Sequence, residues 1–101
     1  MIISFSCRET QKIYAGGVSR RWRSIQSIIE RKLQLLDSAV SLSALRSPPG
    51  NRLEALTGNR AGRHSIRVNR QWRICFVWSE AGPLNVEITD YRWMCEANRW
   101  N

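Results

Sequence analysis

The stretch Ser65-Ile66-Arg67-Val68-Asn69-Arg70-Gln71-Trp72-Arg73-Ile74 decides how the second half of this chain folds. Two β-prone runs flank a polar loop, and side chains of a strand alternate between its faces. His64, Ile66 and Val68 therefore share one side, with Ser65 and Arg67 on the other. On the returning run Trp72, Ile74, Phe76 and Trp78 fall together, opposite Arg73, Cys75 and Val77. A two-residue turn at Asn69-Arg70 would pair Ile66 with Arg73 and mix apolar and charged side chains on both faces. A three-residue loop, 69–71, instead pairs Val68 with Trp72, Ile66 with Ile74 and Arg67 with Arg73. Because one face must be buried, the first register is heavily penalised and the second is expected.

Two guanidinium groups then stand side by side on the open face of a hairpin. Like charges directly opposite one another destabilise by up to about 1 kcal/mol. Either a carboxylate intervenes, with Glu87 on the last strand as the candidate for an Arg–Glu–Arg ladder, or the pair clamps a phosphate. Both readings stand at this point.

Outward from the hairpin, Glu80 to Pro83 makes a turn and Leu84 to Asp90 the last strand. Upstream, Arg52 to Leu56 is a short strand followed by a loop over 57–62, and the two long strands are expected at His64–Val68 and Trp72–Trp78. The N-terminal half has a different texture. Met1 to Ser6 reads as a strand with Met1, Ile3 and Phe5 on one face. Arg8 to Ala15 reads as a short helix stopped by Gly16-Gly17. Ser19 is placed to cap a long helix over Arg20–Ala39, in which Trp22, Ile25, Ile29, Leu33 and Leu36 form one apolar stripe for the core. Leu42 and Leu45 add a half-turn before Ser47-Pro48-Pro49-Gly50 ends any helix. The layout predicts one α+β domain over 1–101: an antiparallel β-meander with an N-terminal strand and two N-terminal helices packed on one sheet face.

Composition narrows the partner. Sixteen Lys and Arg against eight Asp and Glu give a formal charge of +8, and only Lys12 and Lys32 are lysines. Arg offers a planar fork suited to phosphate oxygens and stacks on bases, so a phosphate-rich partner is favoured over a merely acidic one. The three cysteines, Cys7, Cys75 and Cys95, have no metal-pair spacing and an odd count, which implies neither a zinc site nor a disulfide framework. No run approaches the ~20 apolar residues of a membrane span, and the opening apolar stretch is too short for a signal peptide. A reducing cytoplasm is the expected compartment, with no membrane partner and no cofactor.

A family resemblance rests on residues already quoted. Asn51-Arg52-Leu53, then Leu56, Gly58, Arg60 and Gly62, the Ser-Ile-Arg-Val-Asn and Gln-Trp-Arg-Ile runs, and Gly82-Pro83, Val86-Glu87-Ile88 and Asp90-Tyr91 together resemble HigB toxins of the RelE/ParE superfamily. The approach Arg46-Ser47-Pro48-Pro49-Gly50-Asn51-Arg52-Leu53 is similar to the GraT-like members. The resemblance spans Met1 to Tyr91 and implies a RelE-like fold. It further implies a toxin of a type II toxin–antitoxin pair that cuts messenger RNA in the A site of the small ribosomal subunit. The implied partner is a HigA-like helix-turn-helix antitoxin, with operator DNA contacted only through the complex. The implied reaction is metal-independent attack of a ribose 2′-hydroxyl on the neighbouring phosphodiester.

That reaction needs a group to take the hydroxyl proton, charge to offset the phosphorane and an acid for the leaving oxygen. Arg67 and Arg73 match family positions suited to charge stabilisation, with the larger share assigned to Arg73. Glu54 stands where several relatives carry His; it is either a base, if partly desolvated, or half of a salt bridge. Asp90 and Tyr91 match a terminal acidic–aromatic pair, Asp90 orienting neighbours or accepting a proton and Tyr91 stacking on a base. Arg92 replaces the His that commonly follows; it suits neutralisation but is a poor proton donor. Arg52, Arg60, Arg63 and Arg70 are expected to hold the RNA backbone. The single histidine, His64, is expected inside as a satisfied core residue. Two other readings of the same scaffold remain: a ParE-like toxin acting on DNA gyrase without RNA cleavage, and an RNA-binding module without activity.

Overall fold

A four-stranded antiparallel sheet in the order β1-β2-β3-β4 organises the protein, in a computed structural model that describes residues 1–58 and 61–91. The strands are β1 (Glu54–Ala55), β2 (His64–Arg67), β3 (Trp72–Ser79) and β4 (Gly82–Asp90). The helices are α1 (Arg8–Tyr14) and α2 (Gln26–Ser38), with 3-10 turns at Arg23–Ile25, Leu42–Arg46 and Pro49–Asn51. Among the described residues no helix is long and apolar enough to cross a membrane.

The β2–β3 hairpin has the expected register. Ile66 faces Ile74 and Arg67 faces Arg73, and the Val68 N–H donates to the Trp72 carbonyl at 3.0 Å. The loop is held by Asn69, whose Oδ1 accepts from the backbone N–H groups of Gln71 at 2.9 Å and Trp72 at 2.8 Å. An Asn side chain mimics a turn carbonyl in this way, so the sequence closes its own loop. Burial of Ile66, Ile74, Phe76 and Val86 decides the register. Had the strands slipped by one residue, the arginine face would have entered the core.

Those sheet residues join Ile13 of α1 and Ile29, Leu33 and Leu36 of α2 in one apolar cluster. Trp22 completes it, meeting the edge of Trp72 at 5.5 Å between ring centroids. The predicted stripe is thus core, but the helix starts later than expected. Ser19 does accept from the Trp22 N–H at 3.3 Å, yet α2 begins only at Gln26. The Gln26 side chain folds back, donating to the Gly17 carbonyl and accepting from the Ser19 N–H, both at 2.9 Å. These bonds hold 19–25 as turns that drive Trp22 inward, whereas a continuous helix would leave those backbone groups to satisfy themselves.

The N-terminal segment corrects the predicted strand. Residues 1–6 run along β4 with a single parallel bridge, Phe5 to Val86, rather than as a full strand. Ile2 is 7% exposed, while Met1 and Ile3, expected to share a face with Phe5, are 74% and 47% exposed. The cause is a pair of anchors. The Ile2 N–H donates to Asp37 Oδ1 at 2.8 Å, and the Ile3 N–H to the Pro83 carbonyl at 2.9 Å. Gly82, at φ +137°, permits this approach, because a Cβ there would collide with the Met1 carbonyl oxygen.

The first meander strand is also shorter than expected. Arg52 adopts a left-handed conformation (φ 44°, ψ 58°), and pairing with β2 begins only at Glu54. A non-glycine residue in that region costs on the order of 1 kcal/mol and persists only where its surroundings hold it. Here the preceding residue does so. Asn51 is fully buried, donating from Nδ2 to the Leu45 and Ser47 carbonyls at 3.2 and 3.3 Å and accepting from Lys32 Nζ at 2.5 Å.

Candidate functional site

The face of the sheet that carries Arg67 and Arg73 opens into a groove of about 440 Å³ lined by Arg52, Leu53, Glu54, Arg67, Asn69, Arg70, Arg73 and Tyr91. Sheet alternation supplies Arg67 and Arg73, the left-handed turn at Arg52 brings in the start of β1, and Tyr91 follows directly on β4. Five arginine and glutamate positions expected at the site therefore do converge: Arg52, Glu54, Arg67, Arg70 and Arg73, together with Tyr91. Arg60 and Arg92, like the whole stretch 92–101, lie outside the described residues.

The two facing arginines have different surroundings. Arg73, expected to carry most of the charge stabilisation, is only 4% exposed. Its Nε–H donates to Ser65 Oγ at 2.7 Å, and Nη2 donates to the Ser65 carbonyl at 3.1 Å and to the Arg52 carbonyl. Nη1 lies 3.3 Å from Glu54 Oε2, and the guanidinium carbon stands 5.5 Å from the centroid of the Tyr91 ring. Burial pushes its pKa down from the usual guanidinium value, while the neighbouring Glu54 and Tyr91 oppose that shift. A guanidinium has five N–H donors, and most of those on Arg73 are taken by protein acceptors. Arg67, by contrast, has no hydrogen-bond or ion-pair partner among the described residues and is half-buried at the groove. Arg52 and Arg70 are exposed at its rim.

The carboxylate beside the arginine pair is Glu54, the residue for which a base and a salt bridge were both open. It is in the salt bridge, and its side chain is still 46% exposed, so one of its oxygens can meet a ligand. Glu87, the candidate for an Arg–Glu–Arg ladder, faces Cys75 in the β3–β4 register and stands 3.5 Å from Arg63. Arg63, where an RNA contact was expected, is not among the residues that line the groove. The terminal pair splits as well. Asp90 is the cross-strand partner of Trp72, not of Arg73, and accepts from Gln71 Nε2 at 3.0 Å, which ties it to the hairpin loop.

His64 sits on the inner side, its ring 6.3 Å from Phe76, but it is not the satisfied core residue expected. Among the described residues its Nδ1 is buried without a hydrogen-bond partner. Among the described residues no cluster of His, Cys, Asp and Glu is placed to hold a metal ion.

Sequence reasoning passed over Ser65 and Asn69. Alternation already put Ser65 on the Arg67 face, two residues away, but a serine in a strand gives no sign of which side chain it will meet. Asn69 had a clearer signal, since Asn is favoured in turns for its side-chain acceptor.

Comparison with known proteins identifies the family. Residues 5–91 match the family described as the RelE-like toxin of the type II toxin–antitoxin system HigB. The chain is 40% identical over 95 residues to Toxin HigB-1 of Vibrio cholerae serotype O1, covering 92% of this chain and all of that protein. It is 36% identical over 75 residues to an uncharacterized protein of Haemophilus influenzae, covering 74% of each. A four-stranded antiparallel sheet with two helices, a cationic groove on its open face and a match over nearly the whole chain place this protein in the HigB family of RelE-like type II toxins.

Proposed function

We propose that the protein is a ribosome-dependent endoribonuclease that cleaves messenger RNA by attack of a ribose 2′-hydroxyl on the adjacent phosphodiester. The observation that carries this reading is a half-exposed carboxylate, Glu54, sharing one groove with Arg67, a guanidinium without a partner among the described residues. Glu54 accepts the proton of the attacking hydroxyl. The 2′-oxygen–phosphorus bond forms as the bond from phosphorus to the 5′-oxygen breaks, and the leaving oxygen takes its proton from water in the open groove. The products are a 2′,3′-cyclic phosphate and a 5′-hydroxyl. Arg67 offsets the charge that builds on the phosphorane, where a preorganised cation is worth more than in bulk water. Arg52 and Arg70 at the rim hold neighbouring phosphates, and Tyr91 offers a ring face to a base. Asp90 acts through Gln71 on the loop that carries Arg70.

As a type II toxin the protein has an antitoxin partner. In this reading it is a HigA-like helix-turn-helix protein, through which alone the complex touches operator DNA, and the site of action is the cytoplasmic ribosome.

The test is cleavage of a message during translation by purified ribosomes, with the new ends mapped chemically. Cuts bearing 2′,3′-cyclic phosphate are expected, and Glu54→Gln should slow them by about 10²–10⁴-fold. The amide removes the ion pair to the buried Arg73 at a cost on the order of 1–3 kcal/mol, so the variant is assayed on protein shown to be folded by circular dichroism. Intact messages accompanied by gyrase-dependent DNA breakage would reverse the assignment.

A further inference from the structure

The side chain at the centre of the site contacts protein on nearly every side. In a ribonuclease a guanidinium that touches the phosphorane must keep donors free for its oxygens. Arg73 instead spends Nε and Nη2 on Ser65 and on the Arg52 carbonyl, and directs Nη1 at Glu54. Ser65 is wholly buried and supplies two of these acceptors, its hydroxyl and its carbonyl. The resulting bracket spans three pieces of chain: the left-handed turn before β1, the centre of β2 and the start of β3.

We propose that Ser65 and Arg73 are positioning residues, a buried hydroxyl–guanidinium bracket that aims the Glu54 carboxylate into the groove and leaves Arg67 as the cation that meets the scissile phosphate. The proposal rests on the ribonuclease reading above and divides the labour of the facing arginine pair. The physical basis is geometric. The Ser65 hydroxyl and carbonyl fix the plane of the guanidinium, that plane fixes where Nη1 lies, and Nη1 pairs with one oxygen of Glu54 at 3.3 Å. The hydrogen bonds from the buried guanidinium to Ser65 and the Arg52 carbonyl are charge-assisted and directional, and a displacement of about 1 Å in a reacting group can cost on the order of 10²-fold in rate. The same bracket places a cation under the Tyr91 ring, so the face offered to a base is set from below.

Three variants separate the roles, each assayed as the full chain with translating ribosomes. Ser65→Ala removes one oxygen from a buried position without adding volume. It is expected to lower kcat about 10-fold or more, with KM within about twofold of wild type. Arg67→Ala is expected to raise KM as well as lower kcat, since it removes a direct phosphate contact. Arg73→Lys keeps the charge but loses the fork, and is expected to behave like Ser65→Ala rather than like Arg67→Ala.

A readout independent of activity is the Nε–H proton resonance of Arg73 in a ¹⁵N-edited spectrum. It should be protected from solvent exchange in wild type and in Arg67→Ala, and exchange rapidly in Ser65→Ala. A wild-type kcat in Ser65→Ala, while wild type cleaves normally, overturns the positioning role alone. So does an exposed, rapidly exchanging Arg73 Nε–H in wild type. Absence of cleavage by wild type itself overturns the ribonuclease reading and the positioning role with it.

Discussion

Replacing Asn51 by Ala should destabilise the fold by about 3–4 kcal/mol, although the residue lies in a short 3-10 turn just before an edge strand. Its Nδ2 donates to the Leu45 and Ser47 carbonyls, and its Oδ1 accepts from Lys32, all around a side chain with no exposed surface. Two neutral hydrogen bonds contribute about 1 kcal/mol each, and a bond to a charged donor about 1.5–3 kcal/mol. Lys32 is only half-buried and partly regains water when freed, so its share belongs at the lower end. For a domain of this size each kcal/mol moves the midpoint by roughly 4–8 °C, which predicts a fall in Tm of about 12–32 °C. Urea unfolding followed by tryptophan fluorescence measures this directly, with an unchanged m-value showing that the native and denatured states remain comparable. A double-mutant cycle with Lys32→Ala should return a coupling of about 1.5 kcal/mol or more. The consequence reaches the site, because Asn51 precedes the strained Arg52, whose carbonyl holds Arg73. The folded fraction of Asn51→Ala should therefore also show a reduced kcat. A loss of stability under about 1 kcal/mol would refute the claim that this side chain hangs the site loop on α2.

Further outcomes follow from the groove, the core and the N-terminal anchor. Binding of a short 2′-O-methyl oligonucleotide, which cannot be cleaved, should weaken with salt at a log–log slope of about −2, as three phosphate contacts through Arg52, Arg67 and Arg70 require. Arg67→Ala should reduce that slope by about 0.7, and an unchanged slope would remove Arg67 from the backbone contacts. Asp37 is held below the usual carboxylate range, first by the Ile2 backbone N–H and also by the Tyr14 hydroxyl and the N-terminal charge. A depressed folded-state pKa contributes stability that is complete above the unfolded value near 4 and is lost as pH falls through the folded value. Asp37→Asn should accordingly flatten the acid limb of a stability–pH curve below about pH 4, measured as Tm against pH. Ile29→Ala, at a residue with no exposed surface, should cost about 2–5 kcal/mol in urea unfolding while leaving the oligonucleotide affinity of the folded protein unchanged.

The hairpin was legible because its information is local. Strand alternation, one obligatory buried face and an Asn in the loop leave a single workable register for 65–74, and the side-by-side arginines follow from it. The apolar stripe of α2 was legible for the same kind of reason, since period alone assigns its buried side. The start of that helix was not, because Gln26 reaches back nine residues to the Gly17 carbonyl. Nor was the facing of residues 1–6, which depends on Asp37, far away in sequence but adjacent in space.

From its sequence alone the protein was committed to an α+β meander, a strongly basic character rich in arginine and a cationic open sheet face with Glu54 and Tyr91 as candidates. Tertiary structure alone decided which arginine is tied down and which is available. Arg67 and Arg73 are equivalent in a pattern of alternating residues, each on the same face and each opposite the other. They differ because the left-handed turn at Arg52 and the buried Ser65 bring a carbonyl, a hydroxyl and a carboxylate to one of them. The hydrogen-bonding capacity of a guanidinium is finite, so the acceptors that gather around it determine whether it supports the site or acts within it.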